Sequence, residues 1–239
     1  MTTIRERVAI AQDSRTPKAR LRELSQDRSR VVREAVASNP STPPDLMAEL
    51  ARDESHHVRR AVVNSDNPDA WAAALASPDA WVRAELALRD DLDEVTTDAL
   101  VADPSAEVRR ELALRTPYPE ALARLVRDPD KTVRACAALS RIVTEADVEL
   151  LANDRMAEVR GAAAQSELVR PDTLTRLARD RSAGVRWTVL TANPLRLDLA
   201  EIMAGDTDEM NANQARAQLR WPEEKRAESS QTYHASTPR

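Results

Sequence analysis

The chain has 239 residues and a formal net charge of −5, with one cysteine, three glycines and no phenylalanine. A lone cysteine, Cys136, excludes an internal disulfide framework and a multi-cysteine metal site, and so little glycine without phenylalanine argues against a strand-rich fold. No stretch approaches the roughly 18–20 apolar residues of a membrane-spanning helix, and no long apolar run follows Met1-Thr2-Thr3-Ile4-Arg5-Glu6-Arg7, so neither a membrane span nor a secretory signal is expected.

Residues 1–26 read as a degenerate first copy of a repeat, with Leu21 and Leu24 in place and Glu6-Arg7 where later copies carry Val-Arg. The later copies are explicit. Val-Arg recurs at Val32-Arg33, Val58-Arg59, Val82-Arg83, Val108-Arg109, Val133-Arg134, Val159-Arg160 and Val185-Arg186, with the valines 24 to 26 residues apart. Five residues before each valine stands Asp27, Asp53, Ser77, Asp103, Asp128, Asp154 or Asp180.

Behind each Val-Arg comes a small apolar run such as Ala35-Val36-Ala37, and then a polar break, as at Asn39-Pro40-Ser41-Thr42-Pro43-Pro44 and Thr116-Pro117-Tyr118-Pro119. A second segment follows with leucines at helical spacing, such as Leu46 and Leu50 or Leu174 and Leu177. Each unit therefore predicts two short helices. Proline suits the first turn of a helix, where its missing N–H costs nothing. The recurring aspartate is expected to cap the helix after it, accepting from free N–H groups.

Asp206 opens a partial last copy, and residues 206–221 read as a capping segment, with Trp221 placed to seal the core. Residues 222–239, including Glu223-Glu224-Lys225-Arg226, read as a disordered tail. The expected organisation is one repeat domain over 1–221 with a cap repeat at 1–26. One valine and two leucines contribute on the order of 5–9 kcal/mol by burial, and ordering some 26 residues costs several times that. Stability must come from stacking unit on unit. The prediction is an all-α solenoid of about eight to nine two-helix repeats of ~26 residues.

The unit Asp-x-x-x-x-Val-Arg-x-Ala-Val-Ala-x-Asn-Pro-x-Thr-Pro-Pro-x-x-Leu-x-x-Leu-Ala-x-Asp, read from residues 27–53, resembles the leucine-rich repeat variant family of bacterial repeat proteins. The resemblance extends over about residues 1–220. It implies a right-handed superhelix, HEAT-like in appearance, with one helix of each pair often tight or 3₁₀. The family often carries an N-terminal cysteine cluster that binds an iron–sulfur centre. Such centres usually take four thiolates, and this chain has Cys136 alone, so no cofactor is expected.

The most regular polar feature is a ladder of Asp27, Arg33, Asp53, Arg59, Arg83, Asp103, Arg109, Asp128, Arg134, Asp154, Arg160, Asp180 and Arg186. Because arginine and aspartate recur together, the ladder is expected to be structural, each guanidinium gripping an inter-repeat carboxylate and helix-end carbonyls. Glu85 and Glu111 hold equivalent places in adjacent repeats. Each lies four residues before an arginine, Arg89 or Arg115, which predicts same-helix ion pairs rather than acid–base chemistry. Cys136 falls in a column with Ala35, Ala61 and Ala162 and is expected to be a buried, inert thiol. His56 and His57 are adjacent rather than four apart, so no metal site is expected from them. Trp71 replaces a core leucine.

Outward positions on the Val-Arg helices are expected at Arg60, Asn64, Arg110, Leu114, Leu139, Gln165, Trp187 and Thr191, with Trp187 either an exposed partner anchor or a residue of local packing. No phosphate loop, HExxH or G-x-S-x-G motif occurs. The functional expectation is a non-catalytic, cytoplasmic, protein-binding scaffold that uses the concave face of the solenoid. Neither nucleic acid nor membrane is an expected partner, since the acidic balance lacks the basic excess that displaces counterions from phosphate. The alternative is a HEAT-like nucleic-acid-binding protein or a DNA glycosylase-type enzyme. The arginines discriminate: unpaired on the concave face they favour DNA, neutralised by inter-repeat aspartates they favour the scaffold.

Overall fold

Apolar residues recurring every 24 to 26 positions can leave water only against like residues of the next repeat, and the chain folds accordingly. The structure is a computed structural model describing residues 2–67 and 69–220; the expected tail and Trp221 lie outside the described residues. The chain divides into two compact units, Met1–Ala121 and Leu122–Arg239. The first begins with α1 (Ile4–Gln12), α2 (Lys18–Ser25), α3 (Arg30–Ala37), α4 (Pro44–Leu50) and α5 (His56–Val63). It continues with α6 (Ala70–Leu75), α7 (Ala80–Ala87), α8 (Glu94–Val101) and α9 (Ala106–Arg115). The division falls within α10 (Pro119–Leu125). The second unit holds α11 (Lys131–Ala137), α12 (Glu145–Leu151), α13 (Ala157–Ala163) and α14 (Pro171–Leu177). It ends with α15 (Ala183–Ala192), α16 (Leu197–Met203) and α17 (Glu209–Leu219).

Among the described residues every element is an α-helix, with no strand and no 3₁₀ helix, so the 3₁₀ character that the resemblance implies for one helix of each pair is absent there. The odd-numbered helices from α3 to α15 carry the Val-Arg pairs. In the first unit each stacks on the next, α1 on α3, α3 on α5, α5 on α7 and α7 on α9. Behind them α2, α4, α6 and α8 form a second layer that stacks less closely. The second unit repeats the pattern, α11 on α13 on α15 on α17. Within each unit this is solenoid-like packing of successive helices.

The core lies between the layers. The Val-Arg valines, Val32 through Val185, are wholly buried, as are Leu21, Leu46, Leu100, Leu122, Leu151, Leu177 and Leu199 from the second helices. Trp71 is half-buried and packs against this core.

Prolines open α4, α10 and α14, the place where a missing N–H is harmless. The recurring aspartates do not cap. Asp27, Asp53, Asp103, Asp154 and Asp180 each lie two residues upstream of the N-cap and accept from its backbone N–H at 2.8 Å. Pro104 and Pro129 accordingly sit in the turn ahead of the helix rather than in its first turn. Direct capping falls to other aspartates, Asp79, Asp93, Asp130 and Asp208. The asparagines of the polar breaks also bridge repeats, supplying donors to carbonyls freed at helix ends. Asn39 Nδ2 donates to Ala11 O and Asp13 O at 2.6 and 3.0 Å, and Asn67 Nδ2 to Thr42 O at 2.8 Å.

Candidate binding faces on the Val-Arg helices

With its capping role gone, the aspartate's free carboxylate edge turns to the preceding repeat. There the Val-Arg arginine meets it side-on. Nε lies 2.6–2.7 Å from Oδ2 in the pairs Arg7–Asp27, Arg33–Asp53, Arg83–Asp103, Arg134–Asp154, Arg160–Asp180 and Arg186–Asp206. A second guanidinium nitrogen reaches the other oxygen, as at Arg160 Nη2–Asp180 Oδ1, 2.7 Å. The third turns home: Arg33 Nη1 donates to Asp27 O and Arg160 Nη1 to Asp154 O, each at 2.8 Å. Arg109 makes the same homeward bond to Asp103 O at 2.7 Å, and Asp128 accepts from Asp130 N–H at 2.8 Å.

This fork engages all three nitrogens of the planar guanidinium. Burial raises the Asp154 and Asp180 carboxyl pKa, but bonds from Arg134 and Arg160 and from the backbone N–H of Met156 and Ser182 outweigh it. Both carboxyls sit below their usual range. Hydrogen bonding to the aspartate raises Arg33, Arg83, Arg134, Arg160 and Arg186, so these five stay charged.

Arg7 and Asp206 belong to the ladder although the sequence reading left them out. Their signal was present as the 20-residue interval from arginine to partner. Arg59 is the exception: its column partner is Ser77, and its nearest carboxylate is Asp79, at 3.2 Å. An open hollow of about 550 Å³ beside the ladder is lined by Asp27, Arg33, Glu49, Asp53 and Glu54. Its Arg33 pairs with both Asp53 and Glu54.

The outward positions differ between the units. In the first unit Arg60 and Asn64 are exposed, whereas Arg110 and Leu114 are half-buried. Arg60 reaches across to Glu85 of the next repeat at 3.5 Å, and Arg110 bonds Glu111 at 2.6 Å. The expected Glu85–Arg89 and Glu111–Arg115 pairings are therefore replaced. Arg89 lies beyond the end of α7, where it bonds Asp91 at 2.6 Å and covers the Trp71 ring, while Arg115 turns to Asp90 at 3.8 Å.

His56 and His57 stack with ring centroids 3.9 Å apart, and His56 meets Trp81 edge-on at 6.3 Å. Desolvation and the charges of Arg30 and His56 hold His57 below its ordinary pKa. Among the described residues no group of three or more His, Cys, Asp or Glu is arranged to hold a metal ion.

In the second unit Leu139, Gln165, Trp187 and Thr191 are exposed, Trp187 at 36%. Thr191 Oγ1 donates to Trp187 O at 2.9 Å. An open groove of about 430 Å³ crosses α13 and α15, lined by Ala135, Gly161, Ala162 and Gly184 together with Glu158, Gln165 and Thr188. Two glycines make this relief. No side chain rises from Gly161 or Gly184 where other repeats carry Arg60, Arg110 or Trp81. Cys136 is half-buried rather than buried.

Residues 5–66 match the family described as Leucine Rich Repeat Variant domain. No curated protein matches this chain. One similar solved structure is described as a leucine-rich repeat variant with a novel repetitive protein structural motif. It is 25% identical, with a TM-score of 0.58, and the match covers 87% of this chain and 84% of that one. The leucine-rich repeat variant likeness read from residues 27–53 thus holds at the level of sequence over 5–66 and at the level of fold over most of the chain. No helix among the described residues is long and apolar enough to cross a membrane.

Proposed function

We propose that this leucine-rich repeat variant is a non-catalytic, protein-binding scaffold, and that the outward face of the Val-Arg helices receives the partner. One observation carries the reading: Trp187 is exposed on α15, the helix whose Gly184 and Thr188 line an open groove shared with Gly161 and Ala162 of α13. Aromatic side chains next to concave, desolvatable surface are the commonest anchors of protein interfaces. Support comes also from the ladder. Most of the arginines that gave the chain its basic periodicity are held by inter-repeat carboxylates, so they are not offered to phosphate. The scaffold needs no cofactor, and Cys136 alone does not supply the thiolates of an iron–sulfur centre.

The test is affinity capture from the native host with the intact chain and with Trp187→Ala. The expected result is a protein recovered by the intact chain and lost at least about tenfold with Trp187→Ala, as for a hot-spot residue, with unchanged circular dichroism. Equal recovery rejects this face. A fluorescence titration with duplex DNA at low salt is expected to show no binding; salt-sensitive binding overturns the reading in favour of nucleic acid.

A further inference from the structure

The step from α5 to α7 in the first unit departs from its neighbours in several independent ways. Val58 and Val82 are 24 residues apart, two fewer than Val32 and Val58 or Val82 and Val108. The intervening α6 has only 6 residues. The ladder position is Ser77, whose hydroxyl donates to Ala51 O at 3.2 Å and accepts from Asp79 N–H at 3.3 Å, with no charge to offer Arg59. Asp79 stands in from two residues further on, yet Arg59 Nε is buried without a hydrogen bond. The Asp79 side chain is 39% exposed, against 10% for Asp53 and 5% for Asp103. Arg59 leans instead over the Trp81 ring, 5.6 Å from its centroid. Finally, α5 and α7 pack less closely than α3 and α5 or α7 and α9.

We propose that this step is a built-in weak seam, at which α1–α6 open together ahead of α7–α9. In a stack of repeats each unit is held by its nearest neighbours, so the array parts where one interface is poorest. The forks at Arg33–Asp53 and Arg83–Asp103 supply two charge-assisted hydrogen bonds each, and the α5–α7 step supplies none in that geometry. The Arg60–Glu85 contact bridges the same step, so opening also remodels the outward face of this unit.

Hydrogen–deuterium exchange of the intact chain, read by mass spectrometry, tests the seam. Amides of α1–α6 are expected to share one opening rate, with protection rising sharply after Ser77. Ser77→Asp restores the ladder carboxylate opposite Arg59 and should slow exchange of α1–α6 by about tenfold or more, the weight of a charged hydrogen bond, removing the rise. Asp103→Asn weakens the next, intact fork and should add a second rise between α8 and α9. A smooth gradient from the N-terminus overturns the proposal. So does a rise that survives Ser77→Asp in the folded variant, or the absence of a new rise in Asp103→Asn.

Discussion

Asp180→Ala removes one rung of the ladder at its most enclosed place. Three hydrogen bonds disappear: two from Arg160 at 2.7 Å and one from the Ser182 N–H at 2.8 Å. The Arg160 side chain is 7% exposed, so its charge is left where water barely reaches. Breaking a buried pair from one side costs about 3–5 kcal/mol. Glu145→Ala is the control, because the Arg170–Glu145 pair is 62% and 59% exposed and such pairs contribute at most about 1 kcal/mol. Urea unfolding followed by circular dichroism measures both, and the midpoint of Asp180→Ala should fall far below that of Glu145→Ala. The double variant Arg160→Met with Asp180→Leu should recover part of the loss, since neither charge is then stranded. If Asp180→Ala and Glu145→Ala unfold together, the forks do not clamp the repeats and the account of the ladder is wrong.

Acid should loosen the stack through the same carboxylates. Asp27, Asp154, Asp180 and Asp206 titrate below the unfolded value of about 3.9, so their contribution is complete above that pH and is lost as pH falls through the lowered native values. Circular dichroism between about pH 5 and 2 should show a shallower acid loss of stability in Asp180→Ala than in the intact chain, and equal slopes would contradict the linkage. Gly161→Ala should stabilise. It sits inside α13 without positive φ, and its new Cβ meets only Thr188 Oγ1 at 3.5 Å and Cβ at 3.9 Å. Alanine in a helix interior gains about 0.5–1 kcal/mol over glycine, a rise of about 1–4 °C in Tm by scanning calorimetry. A fall in Tm would mean that the floor of the groove is already full.

The period, the pairing of helices and the identity of the core belong to the sequence alone. Val-Arg at a constant interval, followed by a proline break and a second leucine pair, leaves a chain few ways to hide its apolar groups. All of those valines are buried where the periodicity put them. Even the partnership of arginine with aspartate could be read from their shared rhythm. Which donor meets which acceptor could not. The aspartates were expected as helix caps, yet Asp27, Asp53, Asp103, Asp154 and Asp180 each bond an N–H two residues on and give the outer edge to an arginine 20 residues back. Glu85 was expected to hold Arg89, but Arg89 lies past the helix end and Arg60 arrives from the neighbouring repeat instead. Cys136 shares a column with the buried Ala35 and Ala162, yet it is itself half-buried. The groove exists because Gly161 and Gly184 come from different repeats and face the same space. Local spacing specifies what a helix will bury, because burial follows from periodicity within one segment. Polar contacts between repeats depend on distances of a few tenths of an ångström and on angles, and those arise only when the helices are stacked.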